Sequence, residues 1–189
     1  MEYKDLTNVY AEKMTYEKFE TLSKEEQIAL YNERREKGVF KMSRVEYMRW
    51  EKFRKMHHEC MYDENGFYKF GAIGGGMKLT FHFKADGTYE VHGFCEGCNS
   101  GINLSTEELG ITEADVPIDD KDFESRYNCY AKKSMGTTEY VRYKAFIEDH
   151  KDDIESIHVS FVGTGLGNII CVYDDKTMEY ADLTDIEYW

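Results

Sequence analysis

The pair Cys95-Glu-Gly-Cys98 is the clearest chemical signal in the sequence. Two thiolates separated by two residues around a glycine can bind one zinc ion from a tight turn, and His92, three residues earlier, can supply a third ligand. A closed structural site needs a fourth ligand, for which Cys60 and Cys129 are the distant candidates. Zinc is therefore one candidate cofactor, and two unligated thiols in a turn are the alternative.

A second group of reactive side chains consists of His82, Glu90 and His92. If they lie on two paired strands, all three project from one polar face, with His82 opposite Glu90. Histidines beside a carboxylate can perform acid–base chemistry or hold a metal. Polar neighbours across a solvated sheet face are the commoner case, so a small enzyme is kept only as an alternative.

The third feature is an excess of carboxylates in the second part of the chain. Residues 1–60 contain 13 Lys and Arg against 12 Asp and Glu, whereas residues 61–189 contain 11 against 25, so the second part carries all of the excess negative charge. This balance disfavours direct nucleic-acid binding, because phosphate affinity depends on Lys and Arg. Spaced carboxylates can instead imitate phosphates and occupy a basic cleft in another protein. The expected partner-binding carboxylates are Asp119, Asp120, Asp122, Glu124, Glu148, Asp149, Asp152 and Asp153.

Two capping boxes predict two helices before the acidic region. Ser23 with Glu26, and Ser43 with Glu46, can each satisfy free backbone N–H groups of a first helical turn. Gly38 is well placed to end the first helix. The apolar residues expected on the buried side of that helix are Ile28, Leu30 and Tyr31.

The second helix should extend to about His58. Six of the residues between 41 and 58 are Lys or Arg. We interpret the two helices as an amphipathic hairpin whose Lys and Arg side chains cover apolar surface. A helix-turn-helix that enters a DNA groove and a partner-binding helix are the alternatives. Arg49 and Lys52 are the contacts expected if this helix touches a partner.

The remainder of the chain has the alternation typical of strands. A three-residue loop ending at Gly87 puts Phe83 opposite Tyr89, whereas a slip of one residue would send the apolar side chains to the wrong face. A strand over 157–162 and a hairpin of 168–173 with 177–183 follow, with Val172 opposite Met178, and a helix is expected over about 138–151.

These patterns predict an α+β fold. A helical segment over residues 1–62 should pack on, or project from, an acidic, mainly antiparallel sheet domain over residues 63–189. No stretch approaches the ~20 apolar residues of a membrane helix, and charges occur throughout the first 20 residues. We therefore expect a cytoplasmic protein with reduced thiols and no membrane contact.

By its size, acidity, aromatic content and lack of a catalytic signature, the chain resembles the small phage or mobile-element proteins that inhibit host defence, such as anti-restriction and anti-CRISPR inhibitors. The resemblance is one of composition and assigns no residue a role. It implies a non-enzymatic inhibitor whose acidic surface occupies the basic channel of a nucleic-acid-processing protein, such as a host nuclease effector. The alternatives are a zinc-stabilised regulatory or scaffolding domain built on Cys95 and Cys98, and the small enzyme.

Overall fold

Helices and strands are combined in an α+β fold, as the sequence predicts. The computed structural model describes residues 2–70 and 75–186. The strands are β1 (Lys4–Asp5), β2 (Val39–Lys41), β3 (Met77–Phe83), β4 (Tyr89–Cys95), β5 (Ser100–Asn103), β6 (Lys132–Ser134), β7 (Ile157–Gly163), β8 (Asn168–Asp174) and β9 (Glu179–Asp182). The helices are α1 (Thr7–Ala11), α2 (Tyr16–Thr21), α3 (Lys24–Lys37), α4 (Arg44–Met56), α5 (Lys121–Tyr130) and α6 (Thr137–Asp149), with 3-10 helices at Glu59–Met61, Glu113–Asp115 and Lys151–Ser156.

One large sheet organises the molecule. Its order is β1-β9-β8-β7-β3-β4-β5, and β2 pairs with β6 separately. The edge strand β1 runs parallel to β9, and the other pairs of the large sheet are antiparallel. Phe40 and Trp50 from the N-terminal segment share one core with Phe81 and Val159 of the sheet. The helical segment is therefore packed on the sheet and does not project from it.

The β3–β4 hairpin has the predicted register. Phe83 pairs with Tyr89 and Phe81 with Val91, across a loop in which Gly87 has a φ of +80°. Side chains of this hairpin therefore alternate between an inner face, buried under the helices, and an outer face. His82 and His92 both lie on the outer face, because each is one residue out of phase with the buried Phe81 and Val91.

The predicted register of the C-terminal hairpin is wrong. Val172 pairs with Ala181 and not with Met178. The carboxylate of Asp174 is buried and accepts hydrogen bonds from Ser156 Oγ and from the backbone N–H of Lys176, at 2.6 and 2.8 Å. Asp174 therefore stays in β8, and the turn moves towards the C-terminus.

The two N-terminal helices begin as predicted but bury different residues. Both capping boxes are formed, and α3 ends at Gly38. The expected buried side of α3 is wrong, because Ile28 is 60% and Tyr31 48% exposed. Strand β2 lies between α3 and α4, so the two helices do not form a helix-turn-helix. No helix within residues 2–70 or 75–186 is both long and apolar enough to cross a membrane.

Candidate functional site

The ends of helix α4 and strand β4 bring His57, Cys60 and Cys98 together and place Cys95 next to Cys98. His57 follows the last residue of α4, and Cys60 lies in the adjacent 3-10 helix. Cys95 ends β4, and Cys98 lies in the turn that leads to β5. The imidazole of His57 packs on the ring of Phe53, with 4.4 Å between the ring centroids, which restricts its orientation.

Three of these side chains form a compact group. The Nδ1 atom of His57 lies 3.1 Å from Sγ of Cys98 and 4.0 Å from Sγ of Cys60. All three ligand atoms lie within 4.8 Å of one another, and no other His, Cys, Asp or Glu side chains in the described residues form such a group. Cys98 is exposed, whereas His57 and Cys60 are half-buried. Nitrogen and sulfur donors at this spacing suit a zinc ion.

Cys95 lies directly behind this group. It is fully buried, its thiol donates a hydrogen bond to Sδ of Met61 at 3.8 Å, and its Sγ also interacts with Cys98 and with the backbone N–H groups of Gly97 and Cys98. A Cβ at Gly97 would lie 2.3 Å from the carbonyl oxygen of Cys60, so the two turns touch only because residue 97 is glycine. The close approach of the two turns therefore depends on the glycine at position 97.

The thiols differ in acidity. Hydrogen bonding, first from Ser100 and then from the neighbouring thiols and imidazole, lowers the pKa of Cys98 to about 6. The hydrogen bond with Cys98 raises the pKa of Cys60, and burial raises the pKa of Cys95. Cys98 is therefore the thiol that ionises first, and the thiolate is the form that binds metals.

The structure corrects the expected third and fourth ligands. His92 lies on the outer face of the sheet, where its ring is 4.4 Å from that of His82, while Cys95 on the same strand points into the inner face. The histidine beside Cys98 is His57. His92 and Cys95 are separated by an odd number of positions along β4, so their side chains cannot share a face. Cys60 joins the group, whereas Cys129 lies exposed on α5.

The histidines of the outer face belong to a row of rings that crosses four strands. His82 pairs with His158 on β7, His158 with Tyr173 on β8, and Tyr173 with Tyr180 on β9. Successive ring centroids are 4.6, 4.7 and 5.6 Å apart. The sequence analysis missed His158, because only the pairing of β3 with β7 brings it to His82.

Glu90 lies opposite His82, as predicted, but its carboxylate contacts His92, at 3.6 Å between Oε2 and Nε2, and two further side chains. It forms an ion pair with Lys84 at 2.9 Å and accepts a hydrogen bond from the amide of Asn103 at 3.1 Å. Burial, together with the two neighbouring histidines, lowers the pKa of His82 to about 4, so this imidazole is neutral at pH 7. A shallow cavity of about 490 Å³ borders it. The imidazole can accept a proton there, without a carboxylate free to orient it.

The eight predicted partner-binding carboxylates lie in two regions, at the start of α5 and around the end of α6. Three of them form ion pairs, which are Glu124 with Arg44, Glu148 with Lys151, and Asp153 with Lys176. Asp120 caps α5, and Asp149 accepts a hydrogen bond from the hydroxyl of Tyr10. The carboxylates that form neither an ion pair nor a hydrogen bond with any described residue are Asp119, Asp122 and Asp152.

Arg49 does not lie on an exposed face as expected. It is 4% exposed, and its guanidinium donates hydrogen bonds to the carbonyls of Ile111 and Leu104, at 2.9 Å in each case through Nε and Nη1. A loop without regular structure leaves such carbonyls unpaired, and Arg49 satisfies them. Lys52 is exposed and donates to the carbonyl of Leu109 at 2.9 Å, so its role in partner binding stays a prediction.

Comparison with known proteins finds no protein-family model, no curated protein and no solved structure that this chain matches.

Proposed function

We propose that this protein is a non-enzymatic inhibitor of the anti-restriction or anti-CRISPR type, which places an acidic surface in the basic channel of a nucleic-acid-processing protein. The observation that carries the proposal is the state of the predicted carboxylates. Five of the eight form no ion pair with any described residue. Their charge is therefore available to an external basic surface.

Two basic residues of α4 are not free to contact a partner. Arg49 is buried and Arg44 is paired with Glu124, so these cations are used within the fold. The pair with Arg44 neutralises Glu124, which is one of the eight predicted carboxylates. Long-range attraction to a basic channel follows from the net charge of −13, which neither the burial nor the pairing of these cations changes.

Competition with DNA tests this proposal. Purified nucleic-acid-processing proteins are loaded with fluorescent duplex DNA, and release of the DNA by this protein is followed by anisotropy at low and high salt. We expect release from a basic effector at low salt and weaker release at high salt, because exposed charges are screened beyond about 8 Å at physiological ionic strength. Release that is unchanged between the two salt concentrations contradicts the proposal.

Charge-neutralising variants identify the surface. The triple variant Asp119→Asn, Asp122→Asn and Asp152→Asn removes three carboxylates that form no ion pair or hydrogen bond with the described residues. Asp119 has a φ of 61°, which asparagine also tolerates. We expect association to slow by about tenfold. The matched control, Glu20→Gln with Glu25→Gln and Glu36→Gln, changes the net charge equally on the exposed N-terminal helices and should leave association nearly unchanged.

A second candidate function is a zinc-stabilised regulatory or scaffolding domain. The observation in its favour is the convergence of His57, Cys60 and Cys98 within 4.8 Å. The two candidates are compatible, because a metal that holds the fold together need not touch the partner. Zinc content separates them: a protein that folds and inhibits without metal leaves only the first candidate.

A further inference from the structure

We propose that His57, Cys60, Cys95 and Cys98 bind one zinc ion as a closed, four-ligand structural site. The proposal does not depend on the acidic surface or its partner. Its first support is the spacing: His57 and Cys60 are separated by two residues, and so are Cys95 and Cys98. Two tight turns that each supply two ligands at this spacing are the usual construction of a structural zinc site, and three cysteines with one histidine are a common ligand set.

The distances among His57, Cys60 and Cys98 are close to those of a tetrahedral site. Zinc–sulfur bonds of about 2.3 Å and zinc–nitrogen bonds of about 2.0 Å place ligand atoms roughly 3.5–3.8 Å apart in a tetrahedron. The two distances from His57 Nδ1, 3.1 Å to Cys98 and 4.0 Å to Cys60, lie on either side of this range. Small side-chain rotations are enough to centre an ion among the three atoms.

Cys95 is the side chain that closes the site. Its Sγ accepts backbone hydrogen bonds from Gly97 and Cys98, and such bonds stabilise the negative charge of a metal-bound thiolate. It interacts with Cys98 but lies outside the group whose ligand atoms are all within 4.8 Å of one another, and its thiol donates to Sδ of Met61 at 3.8 Å, a hydrogen bond that coordination would replace. Because Cys95 is completely buried, its coordination would supply the fourth ligand from the side of the ion that faces away from solvent. The site is therefore structural and not catalytic.

The surroundings are arranged for a site with this charge. Three thiolates, a neutral imidazole and Zn²⁺ together carry one negative charge, and the Nζ atom of Lys69 lies 2.9 Å from the carbonyl oxygen of Cys60. The sulfur-rich donor set favours zinc over magnesium or calcium, which prefer oxygen ligands. Zinc at this position would tie the end of α4 to the end of β4, two elements that are distant in sequence.

Metal analysis and cobalt substitution of the full chain test the proposal. We expect close to one zinc per chain after purification without chelator. Cobalt(II) in the metal-free protein should give the visible spectrum of a tetrahedral site with sulfur-to-cobalt charge transfer. In Cys95→Ser the charge-transfer absorbance should fall by about one third, because two of three thiolates remain. In His57→Ala cobalt affinity should fall at least tenfold.

Matched controls change similar residues outside the site. His58→Ala alters the neighbouring exposed histidine, His92→Ala the histidine of the outer face, and Cys129→Ser an exposed thiol on α5, and all three should bind cobalt like the parent protein. A folded parent protein that binds neither metal overturns the proposal. An unchanged cobalt spectrum in Cys95→Ser, or loss of binding in His92→Ala with retention in His57→Ala, overturns the proposed ligand set.

Alkylation of the parent protein keeps the proposal testable if Cys95→Ser does not fold. Zinc-loaded protein should protect Cys60, Cys95 and Cys98 from a thiol reagent, while Cys129 is modified at once. A chelator should then make Cys60 and Cys98 reactive, whereas burial continues to protect Cys95 in the folded protein. Because Cys98 is exposed, its modification at the same rate with and without zinc would contradict the proposal.

Discussion

The missing side chain at Gly97 decides whether the two cysteine-bearing turns can touch. A Cβ there would lie 2.3 Å from the carbonyl oxygen and 2.8 Å from the carbonyl carbon of Cys60. Both are backbone atoms, so relief requires one whole turn to move. Gly97 supplies no ligand atom, but its lack of a side chain sets the distance between the thiols of Cys60 and Cys98.

Gly97→Ala should therefore destabilise the protein and weaken metal binding together. Overpacking of this kind costs about 1–3 kcal/mol, measurable as a lower urea midpoint of unfolding. Gly163→Ala is the matched control, since the nearest atom to its new Cβ is 3.9 Å away, and it should change stability by no more than about 0.5 kcal/mol. Equal stability of the two variants would show that the turns do not approach as described.

Arg49 gives a second prediction at the scale of the residue. Arg49→Met keeps apolar contact but leaves the carbonyls of Leu104 and Ile111 buried without donors, which should cost about 2–3 kcal/mol of unfolding free energy. Lys52→Met, on the exposed side of the same helix, should cost about 0.5 kcal/mol or less. If Arg49→Met retains full stability and loses only partner binding, Arg49 is a surface contact after all.

At the scale of the element, the sequence predicts correctly those features that depend on residues close together in the chain. Both capping boxes and the β3–β4 register depend on residues close in sequence, and all of these predictions are confirmed. The predicted register of the C-terminal hairpin is wrong because the buried carboxylate of Asp174 accepts a hydrogen bond from Ser156, which lies in a distant segment. The same limit explains the histidine row, since His158 reaches His82 through strand order and not through sequence spacing.

The thiol group shows the same division. The sequence analysis identified Cys95 and Cys98 as two of the four proposed ligands. His57 and Cys60 have the same spacing, and this spacing could have identified them as the other two. Alternation along β4 already separates His92 from Cys95 by face, because strand side chains at odd separations point in opposite directions. What the sequence could not supply was the packing that brings the end of α4 to the end of β4.

The histidine row predicts a pH dependence of stability. Burial, with His158 and His92 as lesser causes, lowers the pKa of His82 from 6.5 to about 4, so the unfolded chain binds a proton at higher pH than the folded one. The stability that this group contributes is present above pH 6.5 and is lost as the pH falls towards 4. His82→Gln should therefore lose less stability than the parent between these pH values.

Thermal unfolding across this pH range checks the prediction. His58→Gln, which removes an exposed histidine at the end of α4, is the control and should follow the parent protein. The charged and titratable groups that face His82 are His158, His92, Glu90 and Asp175, and all are retained in both variants. Parallel curves for His82→Gln and the parent would mean that His82 titrates normally in the folded state.

At the scale of the whole molecule, a bound metal and an acidic surface have separate consequences. A ligand that binds only the folded state stabilises it by RT ln(1 + [L]/Kd), about 2.7 kcal/mol when the free ligand is at one hundred times Kd. The unfolding midpoint should therefore rise with buffered free zinc and fall with chelator. In Cys98→Ser the midpoint should not respond to zinc. A midpoint independent of zinc in the parent protein would exclude a structural role for the metal.

Mass spectrometry of the intact chain under non-denaturing conditions is the most direct measurement of the central claim, that His57 and three cysteines hold one zinc ion. The claim predicts a single folded species whose mass exceeds that of the bare chain by one zinc ion less the protons it displaces, and which reverts to the bare mass with chelator. A folded species at the bare mass, in protein purified and stored with zinc present, would contradict it.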